Sequence, residues 1–357
     1  MTKKSFFIKL IVFIFGCFLI LHKLDETFVL KENFMHENIN SLISKNYFNT
    51  KIRGFYELEP NSLDVVFIGS SNVHCNINPN VIWNQYGITS YDFSCDMQDL
   101  QTSYYYIKEV FKTQSPKVIM VDMLYPEKRA ENPTYAHYAF DYMNNNLEKA
   151  EAVWKLSSRE PLQYFIPSIM YHDRWKTLGK TDYEELTEVA YILNGSVVYM
   201  SSNSAEQPII TDDKTELSDD IKSQIDEIVE LCHENGCECV FMKTPIAHDE
   251  SLEGRFALWN SISEYCGEKE IDFLYFNRII DELGLDYATD YMDTNHLNYY
   301  GQEKLSKYIG GYLTNQKGIV DNRENEQYNR WNSDYNAMME YIDNFDKYWE
   351  EYCIQNF

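Results

Sequence analysis

The sequence predicts an α/β fold: a doubly wound, mostly parallel five-stranded sheet with an inserted cap and an N-terminal transmembrane helix. Three observations carry this expectation. Five short apolar runs alternate with segments of helical spacing, the pattern of strands buried on both faces of a parallel sheet. One long stretch, residues 126–215, interrupts that rhythm. The chain also opens on an apolar run unlike anything after it. Its 357 residues suit one large α/β domain with insertions.

The elements follow in order. Residues 1–24 form an expected membrane anchor and residues 25–60 a polar, amphipathic stalk and lead-in. The α/β domain covers 61–317. Its first strand is Leu63 to Ile68, apolar and closed by Gly69; Thr89 to Phe93 is the second. Thr102 to Lys112 has helical spacing, Pro116 breaks it, and Lys117 to Val121 is the third strand. Residues 126–215 are rich in Tyr and Asn, carry Pro133, Pro161, Pro167 and Pro208, and are too long for a plain crossover, so they read as a cap. Ser218 then caps a helix whose apolar face is Ile221, Ile225, Ile228, Val229 and Cys232, with Gly236 at its C-terminal αL position. Glu238 to Met242 is the fourth strand, Phe256 to Tyr265 a helix, and Ile271 to Tyr275 the fifth strand. Gly301 to Leu313 closes the domain as a helix. Residues 318–357 form an acidic, aromatic tail with a helix from about Asn332.

At the N-terminus, Lys3, Lys4 and Lys9 flank a run from Phe6 to Leu21 that is otherwise almost wholly apolar. A helix of this kind nearly spans a hydrocarbon core if Lys9 snorkels. No small-residue cleavage site follows Leu21, and Phe15 and the continuing apolar run argue against lipidation at Cys17. The lack of a polar stripe argues against a buried helix. The expected state is an uncleaved signal anchor. Lysines before the run and Asp25 and Glu26 after it put the N-terminus in the cytoplasm and the rest outside, as a single-pass cell-membrane protein.

Composition excludes several classes. Lys and Arg number 31 against 56 Asp and Glu, a net charge of −25, so nucleic acid is not an expected partner. At 44% hydrophobic and 15% aromatic residues the chain can bury a large core, which excludes global disorder. No repeat period points to a solenoid. Eight cysteines lack zinc-ligand spacing, since Cys237-Glu238-Cys239 is too tight, so no metal and no cofactor is expected. An oxidising exterior permits disulfides, and Cys75 and Cys95 follow the first two strands, but the connectivity is open.

Two local motifs carry chemistry. Gly69-Ser70-Ser71-Asn72 follows the first strand, where open parallel sheets bind ligands beyond the carboxyl ends of their strands. Asp293-Thr294-Asn295-His296 precedes the last helix. An Asp three residues before a His can hold its Nδ1–H, leaving Nε2 to take a proton from a serine hydroxyl. Either motif alone is more often a plain turn or a structural histidine. Their occurrence on the first strand and before the last helix of one domain points to a serine nucleophile, a histidine base and an orienting carboxylate.

With these residues the sequence resembles the SGNH/GDSL hydrolase superfamily over about residues 60–315. Within it, the chain resembles the membrane-anchored branch of DltD-like and alginate acetyltransferase-like proteins. The most specific part is Asp293-Thr-Asn-His296-Leu-Asn-Tyr-Tyr-Gly301-Gln-Glu-Lys304. The segment from Tyr91-Asp-Phe-Ser94 through Gln101-Thr-Ser-Tyr-Tyr-Tyr106 to Pro116-Lys-Val fits the branch, as does Tyr171-His172-Asp-Arg174-Trp175. The resemblance implies an SGNH/flavodoxin-like sheet with Ser71 as nucleophile, His296 as base and Asp293 as orienting acid. Ser70 stands where the hydrolytic pattern has Asp. The implied oxyanion donors are the backbone N–H of Ser71 and that of Met97, which stands where the family has Gly. The family's Asn after the third strand has no counterpart in Asp122-Met123-Leu124-Tyr125-Pro126, and the Gln98 side chain is the expected substitute. His172, Arg174 and Trp175 are expected to line the pocket under the cap. His74 is expected either beside them or packed on its own helix.

The implied activity is acyl transfer to, or ester hydrolysis on, an acylated cell-envelope glycopolymer through an acyl-enzyme, with a membrane-bound O-acyltransferase as partner. The competing expectation is a catalytically degenerate scaffold that binds or assembles glycans.

Overall fold

The computed structural model describes residues 3–28, 47–157, 160–179, 182, 192–345 and 347. Five parallel strands form one sheet: β1 (Val65–Ile68), β2 (Ser90–Asp92), β3 (Val118–Asp122), β4 (Glu238–Lys243) and β5 (Phe273–Tyr275). Their spatial order is β2-β1-β3-β4-β5. Val65 pairs with both Ser90 and Val118, Val118 with Glu238, and Phe241 with Phe273. The chain leaves β1 for β2 on one side and returns to β3 on the other. The carboxyl ends of β1 and β3 therefore flank the topological switch point, the place where open α/β sheets bind ligands.

Alternate strand residues face opposite layers. Val66, Ile68, Ile119, Val121 and Phe241 pack one core, together with the helices Leu100–Thr113, Asp219–Glu234 and Phe256–Glu268. Val65, Phe67, Val118, Met120, Val240 and Met242 pack the other, with the helices Pro79–Tyr86 and Tyr299–Lys317.

The helices begin with α1 (Lys3–Phe28). It is long and apolar enough to cross a membrane, as an anchor or a signal sequence is. Next comes α2 (Tyr47–Tyr56). Its Ile52 and Phe55 are fully buried, and Phe55 stacks on Phe93 at 4.1 Å, so this part of the expected stalk is built into the core. Two short helices, α3 (Ser71–Asn76) and α4 (Pro79–Tyr86), follow β1. Asn78 caps α4 by accepting from Asn80 N and Val81 N, with Pro79 at the first helical position.

After β2 comes α5 (Leu100–Thr113), capped by Asp99. Residues after β3 carry α6 (Pro133–Phe140), α7 (Leu147–Leu156) and α8 (Pro167–Met170). Helix α9 (Asp219–Glu234) is capped by Ser218 Oγ accepting from Ile221 N; it buries Ile221, Ile225, Ile228 and Cys232, and Gly236 sits at φ 69°. Between β4 and β5 lies α10 (Phe256–Glu268), and beyond β5 the single turn α11 (Ile280–Leu283). The last core helix, α12 (Tyr299–Lys317), starts two residues before the expected Gly301 because Asn298 Oδ1 accepts from both Tyr300 N and Gly301 N. Gly301 itself is needed for close approach: a Cβ there would stand 2.4 Å from Asp290 O. Finally α13 (Asn329–Asp343) buries Trp331 and Met338, packing on α4.

Candidate active site

Ser71 is placed by the way β1 leaves the sheet. Gly69 adopts φ 154°, and a Cβ there would meet Val73 Cγ2 at 2.8 Å and Asp122 Cβ at 2.9 Å. Only glycine lets the chain turn this close to the end of β3. Ser70 then acts as the N-cap of α3, its Oγ accepting from Asn72 N at 3.4 Å. Ser71 is the first residue of α3 and is partly exposed at the switch point.

Across 225 residues of sequence, His296 Nε2 lies 2.9 Å from Ser71 Oγ. The other ring nitrogen, Nδ1, lies 2.8 Å from Asp293 Oδ2. Asp293 Oδ1 accepts from Asn295 N at 2.7 Å and from His296 N at 2.8 Å, so the carboxylate closes the loop that carries the histidine. That loop is braced from two sides. Thr294 Oγ1 donates to Asp249 Oδ2, and Asn76, at the end of α3, accepts from Leu297 N and donates to Asn295 O. Partial burial works against charge on Asp293, but the imidazole and the two backbone N–H groups outweigh it and hold its carboxyl below the usual range. With Asp293 accepting at Nδ1, the neutral ring presents a lone pair at Nε2 to the serine hydroxyl.

The loop after β2 faces the same end of the sheet. Met97 sits at φ 58°, the left-handed conformation that glycine adopts readily. A side chain there costs about 1–2 kcal/mol, and the loop holds it by local bonds. Gln98 Oε1 accepts from Cys95 N at 2.9 Å, Gln98 Nε2 donates to Ser103 Oγ at 3.0 Å, and Cys95 N also reaches Gly69 O. Among the described residues, neither the Ser71 N–H nor the Met97 N–H has a protein acceptor. The Gln98 expectation is corrected: its buried amide braces the loop instead of pointing a donor at the serine. Asp122, the last residue of β3, is likewise occupied, accepting from Thr244 N, Thr244 Oγ1 and Leu124 N.

Behind the site lies a buried charged chain that local sequence patterns did not signal. Lys51 Nζ is 2.8 Å from His74 Nδ1, Ser94 Oγ is 2.9 Å from the same nitrogen, and His74 Nε2 is 3.2 Å from Asp96 Oδ1. His74 is therefore built into the interior, not the pocket wall. Burial, aided by the Lys51 ammonium, pushes its pKa from 6.5 down to about 3. Burial likewise lowers Lys51 to about 8. A neutral His74 accepts from Lys51 at Nδ1 and turns Nε2–H toward Asp96, which adjoins Met97. This chain ties α2 to the nucleophile helix and the loop after β2.

The low His74 pKa has a measurable consequence. Between pH 6.5 and about 3 the unfolded chain binds a proton here that the folded chain does not. Stability from this group is therefore lost as pH falls through that window, by about 1.4 kcal/mol per pH unit. In a pH series of denaturant melts, His74→Gln should flatten the acid limb by about one proton. An unchanged slope would mean that His74 is charged in the fold.

His172, Arg174 and Trp175 are not brought to the serine, which corrects the expectation for them. Arg174 Nη1 donates to Phe28 O at 2.6 Å, and its other amine pairs with Asp182. His172 is exposed, its Nδ1 3.0 Å from Ile169 O, and Trp175 is 64% exposed. The segment docks on the end of α1. Tyr199, buried, lies beside the histidine, its ring centroid 6.5 Å from that of His296. Cys75 and Cys95 are buried free thiols, and burial pushes both well up.

No family model and no curated protein matches the chain. Among solved structures, one described as a lipolytic protein of the G-D-S-L family from Desulfitobacterium hafniense DCB-2 is similar at 13% identity. The match covers 70% of this chain and 98% of that one, with a TM-score of 0.36.

Proposed function

We propose that this chain is an extracytoplasmic, membrane-anchored serine enzyme of the SGNH/GDSL type. It moves or removes an acyl group on a cell-envelope glycopolymer. The observation that carries the reading is the continuous chain Ser71 Oγ, His296 Nε2, His296 Nδ1, Asp293 Oδ2, with contacts of 2.9 and 2.8 Å. His296 takes the Ser71 proton as Oγ attacks the acyl carbonyl. The oxyanion is met by the N–H groups of Ser71 and Met97. His296 then protonates the departing alcohol or thiol, leaving an acyl-enzyme. A sugar hydroxyl or water gives its proton to His296 as it attacks the acyl carbon, the acyl–Oγ bond breaks, and His296 returns the proton to Ser71 Oγ.

Tethering through α1, with the N-terminus cytoplasmic, favours transfer from a donor delivered at the membrane. A membrane-bound O-acyltransferase is the partner this reading implies, as in the DltD-like and alginate acetyltransferase-like branch. The assay is acyl release from an aryl ester with and without a polyol or oligosaccharide acceptor. A transferase gives acylated acceptor at the expense of free acid; an esterase gives free acid in both. No turnover and no serine labelling would favour the glycan-binding reading instead.

A further inference from the structure

We infer that the face built by residues 147–157 and 160–175 lies on the lipid bilayer beside the exit of α1, so that the body is held against the membrane at two places. This rests on the anchor part of the proposed function and on none of its chemistry. Outside α1, nine large hydrophobic side chains are exposed among the described residues, and six of them fall in this one stretch: Leu147, Trp154, Leu162, Ile169, Met170 and Trp175. Single exposed hydrophobics are ordinary; this concentration is not. Leu147 and Trp154 are seven residues apart, hence on one face of α7, and are 82% and 78% exposed. The opposite face buries Lys149, Ala152, Val153 and Leu156. The turn Pro161–Tyr164, which carries Leu162, touches both α7 and α8, and α8 touches α1.

The position of α1 sets the depth. Its apolar run ends at Leu21, so Asp25 and Phe28 stand about 6 and 10 Å further along the helix, at about 1.5 Å per residue. The headgroup layer is about 5–7 Å deep on each side of the hydrocarbon. Ser168 N donates to Asp25 Oδ1 at 3.0 Å and Arg174 Nη1 to Phe28 O at 2.6 Å. Ile169 and Met170, beside Ser168, therefore stand at headgroup level whenever α1 spans the bilayer, and Trp175, beside Arg174, stands at the outer margin of that layer. Tryptophan favours that layer, having an apolar body and a polar N–H. A Lys176 ammonium 5.5 Å from the Trp175 ring places a cation there as well. The occupant that fits is the lipid surface, because the patch is continuous with a helix that enters it.

The test uses the full chain reconstituted into phosphatidylcholine vesicles brominated near the headgroup end of the acyl chains. Trp83, Trp259 and Trp331 are buried and serve as the unquenched background, and Trp349→Phe, outside the described residues, is made in both proteins compared. Bromolipid should quench the wild-type protein, and the quenched fraction should fall at least twofold in a Trp154→Phe/Trp175→Phe variant. Equal quenching in both proteins, with the chain still floating with the vesicles, would overturn the inference and point to water or a protein partner at this face. A chain that does not float would overturn it together with the anchor. Serine labelling of the double variant separates either failure from a failure of the proposed chemistry, since neither Trp touches the triad.

Discussion

Ser71→Ala should abolish labelling by a fluorophosphonate probe and reduce aryl-ester turnover by roughly 10⁶, the scale of losing a triad nucleophile. Ser70→Ala should leave both largely in place. The two hydroxyls are neighbours in sequence but differ in what they touch. Ser71 Oγ is 2.9 Å from His296 Nε2, whereas Ser70 Oγ accepts from Asn72 N and caps α3. Losing that cap costs about 0.5–2 kcal/mol of stability, and no proton path. Labelling that disappears only with the Ser70 change would reverse the assignment. Mass of the labelled peptide reads the modified residue directly.

Asp293→Asn should lower turnover by about 10⁴ while leaving the melting curve nearly unchanged. The carboxylate has two jobs on separate oxygens. Oδ1 accepts from Asn295 N and His296 N and holds the loop; Oδ2 receives the imidazole N–H. An asparagine keeps the first job through its own carbonyl oxygen. It puts an NH₂ where Oδ2 was, which favours the wrong imidazole tautomer and cannot stabilise imidazolium. If Asp293 only closes the turn, the change is nearly neutral. Turnover close to wild type in Asp293→Asn would therefore sink the triad and bring forward the glycan-binding reading. His296→Ala, which removes the base outright, should lose at least as much activity with the fold intact.

Much of this was legible in the residues because the signals are local. The β-run Val65–Ile68, the Ser218 cap with its Ile221, Ile225, Ile228 stripe, and Gly236 at φ 69° each depend on a few consecutive residues, and each has the form their chemistry predicts. The motifs at Ser71 and Asp293 were visible for the same reason. Short elements were harder. Helices α3 and α4 span only Ser71–Asn76 and Pro79–Tyr86, too few residues to show a period, although Asn78 before Pro79 is a start signal. The α2 helix read as stalk because two apolar residues, Ile52 and Phe55, do not advertise a core until Phe93 arrives to stack on one of them.

What the sequence determined by itself, then, is the order of strands and helices, the apolar N-terminal helix, and which serine, histidine and aspartate are available. Tertiary structure decided what those residues meet. It brought His296 to Ser71 across 225 residues, and it turned Gln98 inward to brace a loop in which Met97 takes a backbone conformation suited to glycine. It also joined Lys51, His74 and Asp96 behind the site and sent Arg174 to the end of α1 instead of to the pocket. The division has a physical cause. Periodicity, caps and turns act through bonds within a few residues, so they are written in consecutive letters. Contacts between distant segments form only when the sheet and its layers pack, and their partners are chosen by burial and geometry that no short window of sequence contains.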